Sequence, residues 1–248
     1  MSIITPAGIA ATALAAAPAA TPPAPPPADT KPKAGEFVVA TDNKPSASLE
    51  RLLGKLAKFA EQLSRTNQLQ KQMEAEIETG GAASTTLLRQ LNASKVLMSM
   101  HQSQIKTSIE KIPPQELRDK IDKINKIQEA IVESGGVFGE VVSPQSDDPI
   151  LQIGKLNGKI LARALHTISS HTILFERQAE TTRALEQQIE TELETGGKYS
   201  KTLLKELTAS KLLQGLYREE QAHGKDNAKF SLEVFELLNK QANKPDQK

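Results

Sequence analysis

The stretch Met73-Glu-Ala-Glu-Ile-Glu-Thr-Gly-Gly-Ala-Ala-Ser-Thr-Thr-Leu-Leu-Arg-Gln-Leu-Asn-Ala-Ser-Lys-Val-Leu97 recurs as Ile189-Glu-Thr-Glu-Leu-Glu-Thr-Gly-Gly-Lys-Tyr-Ser-Lys-Thr-Leu-Leu-Lys-Glu-Leu-Thr-Ala-Ser-Lys-Leu-Leu213. More than half of the aligned positions are identical, and a shared Glu-Thr-Gly-Gly and Ala-Ser-Lys in one register does not arise by chance between helical segments. Two copies rather than many short ones indicate a duplicated unit, not a solenoid. Similar lead-ins stand before each copy, at Gly35-Glu36-Phe37-Val38-Val39 and Gly139-Glu140-Val141-Val142.

Each copy reads as a helical hairpin. Leu49, Leu52, Leu53, Leu56, Phe59, Ala60, Leu63, Met73 and Ile77 recur at mostly helical spacing, with a gap over Ser64–Gln68 that predicts a more exposed stretch. Gly80-Gly81 and Gly196-Gly197 are the expected hairpin turns, because glycine enters the left-handed conformation without steric cost. Ser84 and Ser200 stand where N-caps are needed. Pro113-Pro114 ends the second helix of the first copy, and a further amphipathic helix follows, with Leu117, Ile121, Ile124 and Ile131 on one face. Asp148-Pro149 opens a long helix in the second copy, and the last segment carries Leu203 to Tyr217 and, beyond an expected weak point at His223-Gly224, Phe230 to Leu238.

The expected fold is all-α, with duplicated long, coiled-coil-like helical hairpins behind a disordered leader. Its parts are a leader over residues 1–36, a first unit over 37–138 and a second over 139–248. The leader run Ala17-Pro18-Ala19-Ala20-Thr21-Pro22-Pro23-Ala24-Pro25-Pro26-Pro27 cannot form a helix and offers little apolar bulk to offset ordering entropy. It reads as a flexible linker or as an uncharged, unfolded export signal. A general secretory signal is not expected, because no basic residue precedes Lys31.

Composition narrows the function. The chain of 248 residues carries 31 Lys plus Arg against 30 Asp plus Glu, so the cationic surplus that nucleic acid demands is missing and no nucleic-acid partner is expected. No Cys means no disulfide, thiolate chemistry or Cys-based zinc site. No apolar run reads as an integral membrane segment. No catalytic, cofactor-binding or metal-binding residue is assigned. Gly154-Lys-Leu-Asn-Gly158-Lys159 has the wrong spacing for a phosphate loop, and Gly196-Gly197-Lys198 has no counterpart Lys after Gly80-Gly81. His166 and His171 are five apart, on different helix faces, and the four histidines are expected to be exposed or capping. Glu74, Glu76 and Glu78 are expected to be solvated. Ser94-Lys95 and Ser210-Lys211 are adjacent and point apart, so Ser is expected to pack closely and Lys to face water. The Gly154–Gly158 pair reads as local flexibility before close helix approach.

The tail is more specific. Ala228-Lys229-Phe230-Ser231-Leu232-Glu233-Val234-Phe235-Glu236-Leu237-Leu238-Asn239-Lys240-Gln241 resembles the last helix of bacterial type III secretion inner-rod proteins, with Lys229, Ser231, Val234, Leu237, Leu238 and Gln241 at matching positions. The leader start Met1-Ser2-Ile3-Ile4-Thr5-Pro6 resembles those of type III export substrates. The chain departs from that family in its length, its duplication and the polar Arg218–Asp226 interval. The resemblance implies a non-enzymatic structural subunit of an export apparatus. It would be made in the cytoplasm and exported without a cleaved signal, associating with itself or with other apparatus proteins. Its implied assembly interface is Phe230, Val234, Phe235, Leu237, Leu238 and Gln241. The duplication points equally to a cytoplasmic helical scaffold or chaperone-like module that presents two similar surfaces.

Overall fold

The computed structural model describes residues 46–80, 82–135, 148–197 and 200–245. The leader, Gly81 and both lead-in segments lie outside the described residues. The chain is all-α: among the described residues there is no strand, and six helices follow one another as α1 (Ala47–Gly80), α2 (Thr85–Ile109), α3 (Pro114–Arg118), α4 (Ile121–Glu133), α5 (Pro149–Gly196) and α6 (Lys201–Ala242). At 48 residues α5 extends about 72 Å.

The copies lie 116 residues apart (Met73 against Ile189), and the register persists at the level of single hydrogen bonds. Ser84 Oγ accepts from the amide of Leu87, and its own amide donates to Glu76 at 2.7 Å. Ser200 Oγ accepts from Thr202, and its amide donates to Glu192 at 2.7 Å. A carboxylate from the preceding helix thus satisfies one orphan amide at each hairpin end, alongside the serine cap. Gly197 takes the left-handed conformation at φ 68° and donates to the Leu193 carbonyl. Gly80 and Gly196 are the last helical residues of α1 and α5.

Further along each hairpin, the Thr66 and Ser94 hydroxyls meet at 2.6 Å and Gln62 Nε2 donates to Ser94 at 2.5 Å. In the second copy the Thr182 and Ser210 hydroxyls meet at 2.7 Å and Gln178 Nε2 donates to Ser210 at 2.7 Å. This corrects the reading of Ser64–Gln68 as an exposed gap. Thr66 is fully buried, and its polarity is absorbed by Ser94 and by a bond to the Gln62 carbonyl. A periodicity count of apolar residues passes over a polar pair that satisfies itself inside the seam.

The copies part company at Pro113-Pro114. There α2 stops and the chain turns back through α3 and α4. At the corresponding Lys229-Phe230, α6 runs on unbroken. The main core gathers the first half of α1, the end of α2, all of α3 and α4, the start of α5 and the end of α6. Phe59 of α1 meets Phe230 of α6 with ring centroids 5.0 Å apart. Inside this core, Asn157 Nδ2 donates to the Ser231 carbonyl, and Ser231 Oγ donates back to Asn157. The described residues of both copies belong to one compact unit, Asn43–Lys248.

Two glycine readings change. His223-Gly224 is not a weak point: helix α6 is continuous there. A Cβ on Gly224 would stand 3.0 Å from Ile168 Cγ1 and 3.3 Å from the Ala164 carbonyl oxygen. Gly154 likewise admits Ile124, whose Cγ1 would lie 3.2 Å from an added Cβ, so it serves close helix approach rather than flexibility. Gly215, on the same helix as Gly224, faces open space. Gly224→Ala is therefore expected to destabilise by about 1–3 kcal/mol through overpacking against backbone. Gly215→Ala should stabilise by roughly 0.5–1 kcal/mol. Chemical denaturation of the two variants, with opposite shifts in midpoint, checks both.

Candidate functional site

The residues read as an assembly interface lie largely inside the chain. Phe230, Val234, Phe235 and Leu238 are buried in the main core and Leu237 is half-buried against it. Gln241 is buried too: its Nε2 donates to the Ile112 carbonyl at 2.6 Å and to Glu110, satisfying backbone groups that Pro113-Pro114 leave open. Arg118 reciprocates by donating to the carbonyls of Ala242 and Lys244 at the end of α6. The tail stripe is thus spent on α1, α3, α4 and α5 of its own chain and does not form a free surface. The sequence could not separate these outcomes, because a helix stripe looks the same whichever surface covers it.

A polar groove of ≈ 540 Å³ runs between α1 and α5 and is floored by α6, with Gln70, Lys71, Glu74, Arg163, His171 and Glu220 among its lining. His171 Nε2 pairs with Glu220, which is itself buried, while His171 Nδ1 lies 2.8 Å from the Thr167 carbonyl. Tyr217 Oη donates to Glu74 at 2.5 Å, and its ring lies 6.0 Å from that of His171. These contacts tie α1, α5 and α6 together. They also revise the reading of Glu74 and Glu76 as solvated and of the histidines as exposed or capping, while Glu78 is exposed as expected. Glu74 and Glu76 both accept structural hydrogen bonds, and of the four histidines only His166 is exposed. Sequence reasoning missed Tyr217 and Glu220 because their partners lie far away along the chain.

Burial alone would lower the His171 proton affinity. The hydrogen bond and charge of Glu220, the Thr167 carbonyl and the charge of Glu74 outweigh it, and the imidazole is held above its ordinary value. Both ring nitrogens face acceptors, which suits the doubly protonated ring. Burial, then the Glu74 bond and the surrounding carboxylates, push the Tyr217 phenol well above its usual range. His223 is shifted down by burial and by Lys95, with Asp226 opposing. The groove thus holds one buried ion pair, His171 with Glu220, and a phenol bound to Glu74, with His166 exposed on its wall. Among the described residues, no group of three or more His, Asp or Glu side chains is placed to hold a metal ion. No described helix is long and apolar enough to cross a membrane.

Outside the groove, large apolar side chains face water. On α2, Leu88, Val96, Leu97 and Met100 are exposed, Val96 by 61% and Met100 by 51%. On the α5–α6 hairpin the exposed set is Ile173, Phe175, Leu193, Leu204 and Leu212. Scattered singly such residues are ordinary surface, and only a contiguous patch marks an interaction site. No family model, curated protein or solved structure matches the chain. Fold and site together define a helical protein with buried polar locks and exposed apolar faces.

Two outcomes follow from these placements. Because the folded pKa of His171 is raised, its contribution to stability is complete below about pH 6.5 and is lost as pH rises through the folded value. His223, shifted down, acts in the opposite sense and only below that range. The wild-type melting temperature should therefore fall from about pH 6.5 upward, and His171→Gln should remove that slope. Leu238→Asp should destabilise the fold itself, since truncation alone at a buried Leu costs about 2–5 kcal/mol and the carboxylate adds an unpaired charge. Leu237→Asp should cost less. Melts followed by circular dichroism compare all four proteins.

Proposed function

We propose that this chain is a non-enzymatic helical scaffold that binds protein through the apolar faces its core leaves uncovered. The observation that carries this reading is the exposure of Leu97 and Met100 on a helix whose opposite face is fully committed to the core. In the groove, His171 and Glu220 hold each other and Glu74 holds the Tyr217 phenol, so these groups serve the packing of the helices. Association through α2 and the hairpin ends needs no rearrangement of the bundle, whereas association through the tail would need α6 to leave it.

A narrower reading makes the scaffold a subunit of a bacterial protein-export apparatus. It is favoured by the uncharged, proline-rich start of the chain and by the tail residues Lys229, Ser231, Val234, Leu237, Leu238 and Gln241. A leader whose composition disfavours helix and offers little apolar bulk would suit passage through a narrow channel. The alternative places the same scaffold in the cytoplasm with the leader as a tether.

An export assay in the native cell separates the two, comparing the full chain with one lacking residues 2–30. Appearance of the unprocessed protein outside the cell only when the leader is present supports the export subunit. Retention of both forms inside removes it and leaves the cytoplasmic scaffold. The protein-binding reading itself is checked by photo-crosslinking from position 100 in cells. A discrete protein adduct is expected, and no adduct from that position would overturn it.

A further inference from the structure

The duplication sets most of the exposed apolar residues beside a counterpart 116 residues away. Near the turn of the first hairpin, Leu69, Met73, Ile77 and Leu91 form a seam that is buried. What covers it is a strip of α6, Ala209, Leu213, Leu216 and Tyr217, at spacings of four, three and one along one helix face. Tyr217 completes the contact by donating to Glu74 beside the seam.

Both halves of this contact exist a second time. The seam recurs 116 residues later as Leu185, Ile189, Leu193 and Leu207, and there it is only partly covered: Leu185, Ile189 and Leu207 are half-buried rather than buried, and Leu193 is 45% exposed where Ile77 is 3%. The strip recurs 116 residues earlier as Ala93, Leu97, Met100 and His101 on α2. There Leu97 is 42% and Met100 51% exposed where Leu213 and Leu216 are each 6%. Each copy thus carries one seam and one strip. Within the chain, the first seam uses the second strip, which leaves the second seam and the first strip over.

We propose that the leftover pair meets between molecules: the α5–α6 seam of one molecule docks on the Ala93–Leu97–Met100–His101 strip of a second copy. The contact repeats between chains the one that the first seam makes with α6 inside the chain. This rests on the protein-binding reading above and names its partner. The polar edge is matched as well. His101 stands where Tyr217 stands, and Glu190 stands where Glu74 stands, so an imidazole and a carboxylate replace the phenol and carboxylate. Glu194, the counterpart of Glu78, lies one turn further along the same face.

Leu88 and Leu204 are exposed in both copies, as are Val96 and Leu212, so neither pair belongs to the docked set. One difference weakens the contact between chains relative to the one within: Leu174, which packs on the covered seam, has Lys58 as its counterpart. Because seam and strip are different surfaces, the contact is heterologous. It closes into a dimer or ring, or runs on as a filament, according to the rotation it imposes.

Sedimentation velocity on the full chain, across roughly a hundredfold range of concentration, tests the proposal. The wild type is expected to rise in mass above the monomer. Met100→Glu, which spoils the strip, and Leu193→Glu, which spoils the seam, should each be monomeric with wild-type helicity by circular dichroism. Mixed together, they should form a one-to-one complex and nothing larger, since one intact seam and one intact strip remain. Val96→Glu should associate like the wild type. A wild type that stays monomeric throughout overturns the second-copy inference and leaves protein binding to its own crosslinking test. Undiminished association by Met100→Glu or Leu193→Glu, or a mixture that stays monomeric, overturns it equally.

Discussion

Pro113-Pro114 removes two amide donors in succession and holds the residues before them out of the helical region, so α2 cannot continue. The architecture depends on that break. In the first copy the chain must turn back through α3 and α4. In the second copy Lys229-Phe230 occupies the same register and α6 runs on for 42 residues in all. The continued end of α6 then fills the space that α1, α3, α4 and α5 enclose, with Phe230 against Phe59 and each fully buried side chain contributing roughly 1.5–3 kcal/mol. Two hairpins that began as copies become one body because one of them could not extend.

Polar side chains set the register of that body. Thr66 with Ser94, and Thr182 with Ser210, place a hydroxyl pair at the same depth in each hairpin seam. A slip of either helix would leave these hydroxyls buried and unpaired, at about 1–3 kcal/mol for each. Asn157 with Ser231 does the same between α5 and α6, and His171 with Glu220 and Tyr217 with Glu74 do it where three helices meet. Apolar stripes would permit several slides of one helix along another, and these pairs select one.

The asymmetry between the copies bears on function. Equivalent apolar residues are covered in one copy and bare in the other, while a few are bare in both. Residues bare in both copies are tolerated surface. Leu97, Met100 and Leu193 are bare where their counterparts Leu213, Leu216 and Ile77 are covered, and the proposed contact between chains rests on that difference. That distinction gives the exposed face of α2 and the end of the α5–α6 hairpin a meaning that exposure alone would not.

The sequence by itself determined the helices, their turns and their duplication, because these follow from local rules. The apolar period was read along Leu49–Leu63, the caps at Ser84 and Ser200, the stop at Pro113-Pro114 and the turn at Gly197 from residues close together in the chain. Tertiary structure decided what each stripe faces. The Phe230–Leu238 stripe was legible as apolar, but only its packing against helices more than sixty residues away in the chain made it core instead of surface. The same holds for Thr66, Gly224, Tyr217 and Glu220: each looks ordinary in its own segment. Each acquires its role from a partner that local sequence does not name, since burial and hydrogen bonding depend on distance in space and not on distance along the chain.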